Sequence, residues 1–330
     1  MLKGIFLLDT EAYHNIYGPH ERREIERLVQ LYAPPQTKES FRKNPAILRE
    51  AEVIFSGWGM VVMDEAFLAA APDLKAVFYG AGSIKNIVTE AFWNRGILIT
   101  SSYAANAVPV AEYTLSQILF SLKRGWYFAL TIKREERYPP RDPAPGNYGS
   151  TVGLISLGAV GRRVRELLKP FDLKVIAYDP YVTAEDAAAL QVELCSLAEI
   201  FRRADVVSLH TPWLKETEGL ITGAHLAAMK PNATFINTAR GAIVREQEMI
   251  NVLQQRPDLY AILDVTYPEP PEPGSPFYTL PNVILTPHIA GARNAECQRQ
   301  GQIVVDQLKR FLNHEPLTWA ISREKAKIMA

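Results

Sequence analysis

Three residues of this 330-residue chain have the types needed to move a proton beside a bound carboxylate: Arg240, Glu269 and His288. Histidine titrates near working pH and can give a proton to an oxygen or take one from it. A carboxylate on its other ring nitrogen would fix the tautomer. Arginine offers a planar fork for a carboxylate and a charge near a developing alkoxide. The set suits the proton-transfer half of a carbonyl reduction whose hydride comes from a nicotinamide. The substrate it implies is a 2-oxo acid or, in reverse, a 2-hydroxy acid. Each residue also has an ordinary reading. His288 follows a proline and could cap or pack, Glu269 sits in Pro-rich chain where glutamates are usually solvated, and Arg240 could bind backbone carbonyls.

Position separates these readings. Arg240 follows the run ATFINT (233–238), Glu269 lies in TYPEP after AILDV (261–265), and His288 follows VILT (283–286). These are short β-rich runs alternating with helical patterns, which argues for a parallel sheet covered on both faces. In such a sheet all strand carboxyl ends share one edge, and ligands bind there. The run TVGLIS (151–156) leads onto the same edge and into GLISLGAVG (153–161), which reads S-x-G-x-x-G. Ser156 replaces the first glycine of a dinucleotide loop, while Gly158 and Gly161 keep the second and third around Ala159 and Val160. The second glycine lets the backbone approach a pyrophosphate and the third lets helix and strand pack closely. Phosphate binding itself rests on helix N-terminal N–H groups. Serine can hold the turn if its φ is negative, and its hydroxyl could donate to a phosphate. A helix from Gly161 to Lys169 and the returning run KVIAYD (174–179) complete the strand–turn–helix–strand unit that the fingerprint requires. Asp179 ends that run, where an acid accepts from ribose hydroxyls and repels a 2′-phosphate, favouring NAD over NADP. Arg162 and Arg163, inside the helix start, do not reverse that preference. His210, ending DVVSLH (205–210), reads as lining the cofactor cleft. His14, His20, His225 and His314 share no spacing and read as surface residues, and no His/Cys/Asp cluster has metal spacing.

An earlier βα series comprises GIFLLD (4–9), LVQLYA (28–33), EVIFSG (52–57), KAVFYG (75–80) and ILIT (97–100), with helix candidates at 20–28 and 88–96. Two series imply two α/β domains, with the cleft between them as the default ligand site. A helix over 108–124 is apolar nearly all round and should be buried on most faces. The stretch KREERYPPRDPAPGNYGS (133–150) is charged and then Pro-rich, which suggests surface chain crossing between domains. A helix over 294–313 and the tail PLTWAISREKAKIMA close the chain. Formal net charge is zero, so no whole-body field attracts nucleic acid or an anionic membrane. Two distant cysteines, Cys195 and Cys297, give no disulfide framework and suit a reducing cytosol. The apolar run in MLKGIFLLDT is too short for a secretory segment and reads as a first strand, and no stretch reaches the roughly 20 apolar residues of a membrane span.

FINTARGAIVRE (235–246), LDVTYPEPPEPGSPFYTLPNVILTPHIAG (263–291), HTPWLKETEGLITGAHLAAMKP (210–231) and NAVPVAEYTL (106–115) resemble the D-isomer-specific 2-hydroxyacid dehydrogenase family. The resemblance covers nearly all of the chain from about residue 50. It implies two doubly wound parallel-sheet domains: a flavodoxin-like substrate domain over 1–103 and 296–330, and an inserted Rossmann NAD-binding domain over 104–295. It further implies that Arg240 binds substrate, that Glu269 pairs with the catalytic His288, that Asp264 lies near the nicotinamide carboxamide, and that Asp179 is the ribose acid. With these, His210, Thr211, Pro212, Thr238, Ala239, His288 and Gly291 would line the cofactor. Family members are usually dimers joined through the helix corresponding to 108–124. Two stretches depart from the family pattern: Ser156, and the substrate loop GAGSIKNI (80–87). In that loop Gly80, Ala81, Gly82 and Ser83 would offer backbone N–H groups to the substrate carboxylate, but Ser83, Ile84 and Lys85 bring one extra residue. Trp58, in SGWGM (56–60), is expected to wall the pocket, with a packing tryptophan as the rival reading.

The expected function is therefore that of a cytoplasmic, homodimeric NAD-dependent oxidoreductase acting on a small D-2-hydroxy or 2-oxo acid. A second reading, from the corepressor branch that resembles the same family, is an NAD(H)-sensing dimeric scaffold whose turnover is incidental. The neutral charge weighs against it. A methyl-donor transferase built on a similar sheet leaves Arg240 and His288 unexplained.

Overall fold

A computed structural model describes residues 1–141 and 144–329. The chain forms two compact units, 1–106 with 292–330, and 107–291. Each contains an all-parallel sheet whose central strands are buried and largely apolar, as sheets covered on both faces require. In the first unit the strands are β1 (Lys3–Leu7), β2 (Gln30–Leu31), β3 (Val53–Ser56), β4 (Ala76–Tyr79) and β5 (Leu98–Ser101). Their spatial order is β2-β1-β3-β4-β5, the flavodoxin-like order with its switch point between β1 and β3. The helix Gln298–Leu312 returns to this unit. Its Val304, Val305 and Leu308 join Phe6, Phe55 and Phe78 in one fully buried cluster. The tail then adds an antiparallel bridge, Thr100 to Ala320, with Trp319 stacked edge-on to Tyr103.

The second unit has seven strands: β6 (Thr151–Ile155), β7 (Lys174–Tyr178), β8 (Glu193–Leu194), β9 (Val206–Leu209), β10 (Thr234–Asn237), β11 (Tyr260–Leu263) and β12 (Val283–Leu285). The order β12-β11-β10-β9-β6-β7-β8 contains the dinucleotide-binding arrangement, with the switch point between β6 and β9. The two doubly wound sheets expected from the sequence are present.

Local differences have physical causes. The run LVQLYA yields only Gln30–Leu31 as strand, because Leu28 ends the preceding helix Pro19–Leu28 and Pro34 and Pro35 have no N–H to continue the ladder beyond it. The long helix runs Tyr103–Leu122, beginning before the expected 108 and carrying Pro109 inside it rather than in its first turn. It is not buried all round: Phe120 is 42% exposed. The stretch 133–150 lies within the second unit and does not cross between units; its Asp142 and Pro143 lie outside the described residues, as does Ala330 of the tail. Among the described residues no helix is long and apolar enough to cross a membrane.

Candidate active site

In the second unit, three strand ends build one constellation. After β10, the buried Asn237 side chain templates the turn that carries Arg240. Its Oδ1 accepts from the Ala239 N–H at 2.9 Å, and its Nδ2 donates to the Arg240 carbonyl at 3.0 Å. Gly241 follows because nothing larger fits, since a Cβ there would come within 2.0 Å of the Thr266 carbonyl carbon. The Arg240 turn is thereby pressed against the segment after β11 that leads to Glu269. Burial lowers the pKa of Arg240, and the Glu269 charge opposes that shift. The Arg240 guanidinium donates to the Ala239 carbonyl at 2.6 Å.

His288 follows β12 with φ 52°, a left-handed conformation uncommon outside glycine. The buried Asp264, at the end of β11, does the holding. Its Oδ1 accepts from the Thr286 hydroxyl at 2.6 Å and the Ile289 N–H at 2.9 Å, and its Oδ2 accepts from the Ala290 N–H at 2.9 Å. Its own carbonyl accepts from the His288 N–H at 3.0 Å. Tyr113 supports the same loop through Thr286 at 3.0 Å. So held, His288 Nδ1 lies 2.7 Å from Glu269 Oε1. Both side chains remain nearly half exposed, which keeps the ring open to a ligand. The pairing expected of the imidazole and the acid is present, and Arg240 lies within range of the same acid's charge.

The glycine loop sits at the switch point of this sheet. A Cβ on Gly158 would meet nothing within 4 Å, so space stands open above the loop. One on Gly161 would come within 2.1 Å of the Ser156 carbonyl oxygen, so helix and turn touch there. The helix Ala159–Leu168 begins at this point and directs its free N–H groups towards the open space. Ser156 differs from the expectation. Its φ is +73°, the glycine-favouring region, and its hydroxyl bonds to Thr211 at 2.8 Å across the switch point. Asp179 accepts from the Leu157 N–H at 2.7 Å and the Tyr181 N–H at 2.8 Å, so it shapes the loop while keeping a lone pair on each oxygen. His210 bonds Ser208 at 3.0 Å through Nε2, and its Nδ1 is buried without a partner. Burial drives its pKa down to about 3, leaving a neutral ring with an orphaned atom. Thr238 bonds Thr114 at 3.1 Å. Open space over Gly158, a helix N-terminus and an orphaned ring nitrogen fit a dinucleotide.

In the first unit, the loop after β4 carries the other expected donors. The Gly80 N–H already donates to the Ser56 carbonyl at 2.8 Å, so Gly80 supplies shape and no free donor. The N–H groups of Ala81, Gly82 and Ser83 have no backbone acceptor among the described residues. The extra residue is absorbed inward: Ile84 is buried in the core. Trp58 is 38% exposed, and Gly59 beside it, at φ 86°, lies against the Asp9 carboxylate.

Sequence reading missed Glu246, whose Oε1 accepts from the Tyr267 N–H at 2.8 Å and so braces the segment bearing Glu269. Burial pushes its pKa up to about 7. Asn237 and Asp264 were also missed as organisers. The Asn-x-Ala spacing of an Asx turn signals the first, whereas nothing local signals the other two.

Residues 116–290 match the family model "D-isomer specific 2-hydroxyacid dehydrogenase, NAD binding domain". A D-3-phosphoglycerate dehydrogenase of Methanocaldococcus jannaschii is 34% identical over 81% of this chain, which spans only 51% of that relative. An (S)-sulfolactate dehydrogenase of Chromohalobacter salexigens is 37% identical over 76% of this chain and 81% of the relative. A crystal structure of D-mandelate dehydrogenase from Rhodotorula graminis shares the fold, with a TM-score of 0.81 at 24% identity over 98% of each chain.

Proposed function

Because this chain belongs to the D-isomer-specific 2-hydroxyacid dehydrogenase family, we propose that it is an NAD-dependent oxidoreductase interconverting a small D-2-hydroxy acid and its 2-oxo acid. The observation that carries the reading is the His288 Nδ1–Glu269 Oε1 contact of 2.7 Å beside Arg240. Glu269 accepts the Nδ1 proton, which leaves Nε2 to exchange a proton with substrate. In reduction Nε2 donates to the carbonyl oxygen, and in oxidation it takes the hydroxyl proton. Arg240 releases the Ala239 carbonyl, binds the substrate carboxylate with its fork and stabilises charge on the reacting oxygen. A bound nicotinamide supplies or receives the hydride. Gly158, Ala159, Val160 and Gly161 hold a pyrophosphate at the helix N-terminus. Asp179 takes ribose hydroxyls and disfavours a 2′-phosphate, so NADH is preferred to NADPH. Thr211, Pro212, Thr238, Ala239, Asp264 and Gly291 line the cofactor with His210. In the first unit, Ala81, Gly82 and Ser83 offer N–H groups to a substrate carboxylate, and Trp58 contacts its side chain. The exposed Phe120 face of the helix Tyr103–Leu122 joins a second copy in a homodimer.

The test is NADH consumption over a panel of small 2-oxo acids with wild type and His288→Ala. Turnover on at least one acid, lost by several orders of magnitude in the variant, supports the mechanism. Full turnover by the variant sinks it. Tight NADH binding without turnover on any acid favours the scaffold reading.

A further inference from the structure

Between the helices Tyr103–Leu122 and Gly125–Glu135 the chain turns at Arg124, in the left-handed region at φ 50°. The Arg124 side chain folds inward, and the residue is 7% exposed. Its guanidinium carbon lies 4.0 Å from the centroid of the Tyr127 ring. Among the described residues the guanidinium has neither a hydrogen bond nor an ion pair. The carboxylate of Asp258 acts on it only through space and is itself held by Arg256 at 2.8 and 2.7 Å. The guanidinium thus presents five N–H donors without a protein acceptor among the described residues. It faces a shallow, open hollow. Ser121 also faces this hollow, and its Oγ is buried without a partner. Asn232, Thr234 and Tyr260 add polar groups, and among the described residues no carboxylate lines the wall. The charges of Arg124 and Arg134 both act on Tyr260 at this wall.

We propose that this hollow is an oxyanion site, in which the Arg124 fork and the Ser121 hydroxyl bind a carboxylate or phosphate group presented from outside the chain. Thr234 and Tyr260 are the first residues of β10 and β11, so the hollow lies at the amino-terminal edge of the sheet. Arg240, Glu269 and His288 lie at the opposite edge. The site therefore stands independently of the proposed reaction. The anion has two possible sources, a free small anion or an acidic side chain of a second copy of this chain.

Calorimetric titration of the full chain with inorganic phosphate, in phosphate-free buffer, reads the first source. Wild type binds, and Arg124→Gln weakens binding about tenfold or more, the loss expected for a charged hydrogen-bonding pair. Ser121→Ala weakens it by a smaller factor. Comparison of variants subtracts any phosphate taken by the glycine loop. Arg124→Lys keeps the charge and loses the fork, so it carries the comparison should Arg124→Gln not fold. Sedimentation of the same proteins across a concentration range reads the second source. There, phosphate competes with the partner's carboxylate and weakens wild-type self-association, and the Arg124 variants weaken it by a similar factor. Equal phosphate affinity together with equal self-association in wild type, the Arg124 variants and Ser121→Ala overturns the assignment.

Discussion

The side chains that would carry the chemistry depend on others that touch no substrate. His288 occupies a left-handed backbone position because Asp264 gathers the Thr286 hydroxyl and the Ile289 and Ala290 N–H groups around it. Asp264→Asn turns one acceptor into a donor facing backbone N–H groups, which costs about 1–3 kcal/mol. We expect a lower melting temperature and a lower kcat together, read by calorimetry and steady-state kinetics. If kcat holds while stability falls, Asp264 does not set the His288 geometry. Glu269→Gln should keep the fold and lower kcat/KM by about 10²- to 10⁴-fold, the usual range for general acid–base assistance. Ser156 is a second dependent position. At φ 73° any residue with a Cβ is strained, by about 1–2 kcal/mol, and the Thr211 bond offsets part of that. Ser156→Ala keeps the strain and loses the bond, so it should melt below both wild type and Ser156→Gly. At this scale the sequence revealed which residue types could react. It could not reveal the sign of φ at Ser156 or the buried bonds of Asp264, because both follow from contacts with residues distant along the chain.

Elements were more legible, because strand and helix periodicity is a local signal. Every strand carrying a proposed site residue was found where the β-rich runs placed it, and so was the strand–turn–helix unit around the glycine loop. Boundaries failed where local signals conflicted. Pro109 suggests the first turn of a helix, yet the helix begins at Tyr103 and carries the proline in its interior. Equally, LVQLYA looks like a full strand until the two prolines beyond it are counted. The two surviving glycines of the loop should separate experimentally. Gly158→Ala meets nothing within 4 Å, so its melting temperature should match wild type while its NADH affinity falls, because the methyl occupies the space left for the cofactor. Gly161→Ala drives a methyl to within 2.1 Å of a backbone oxygen, so the fold itself should lose stability. If both variants bind NADH normally, the loop is not the cofactor cradle.

For the molecule as a whole, the division into two sheets of different strand order was readable from two βα series. The Pro-rich stretch at 133–150 was misleading, since it imitates a linker and lies within one unit. Global stability should carry the mark of Glu246. The folded chain holds its proton more tightly than the unfolded chain does, with a pKa of about 7 against an ordinary 4.5. Its contribution is therefore fullest below pH 4.5, declines as pH rises towards 7 and is flat above that. Melting temperatures of wild type and Glu246→Gln, measured from pH 4.5 to 8, should diverge across that window, with the variant showing the shallower decline. Parallel curves would mean that Glu246 is more solvated than its place against Tyr267 suggests. The return of the helix Gln298–Leu312 to the first unit also has a consequence for synthesis. The aromatic face of Phe6, Phe55 and Phe78 emerges from the ribosome early, yet Val304, Val305 and Leu308 arrive only after the other unit has been made. The portion translated first is thus the last to be finished, and until then the nascent chain exposes an apolar surface open to misassembly.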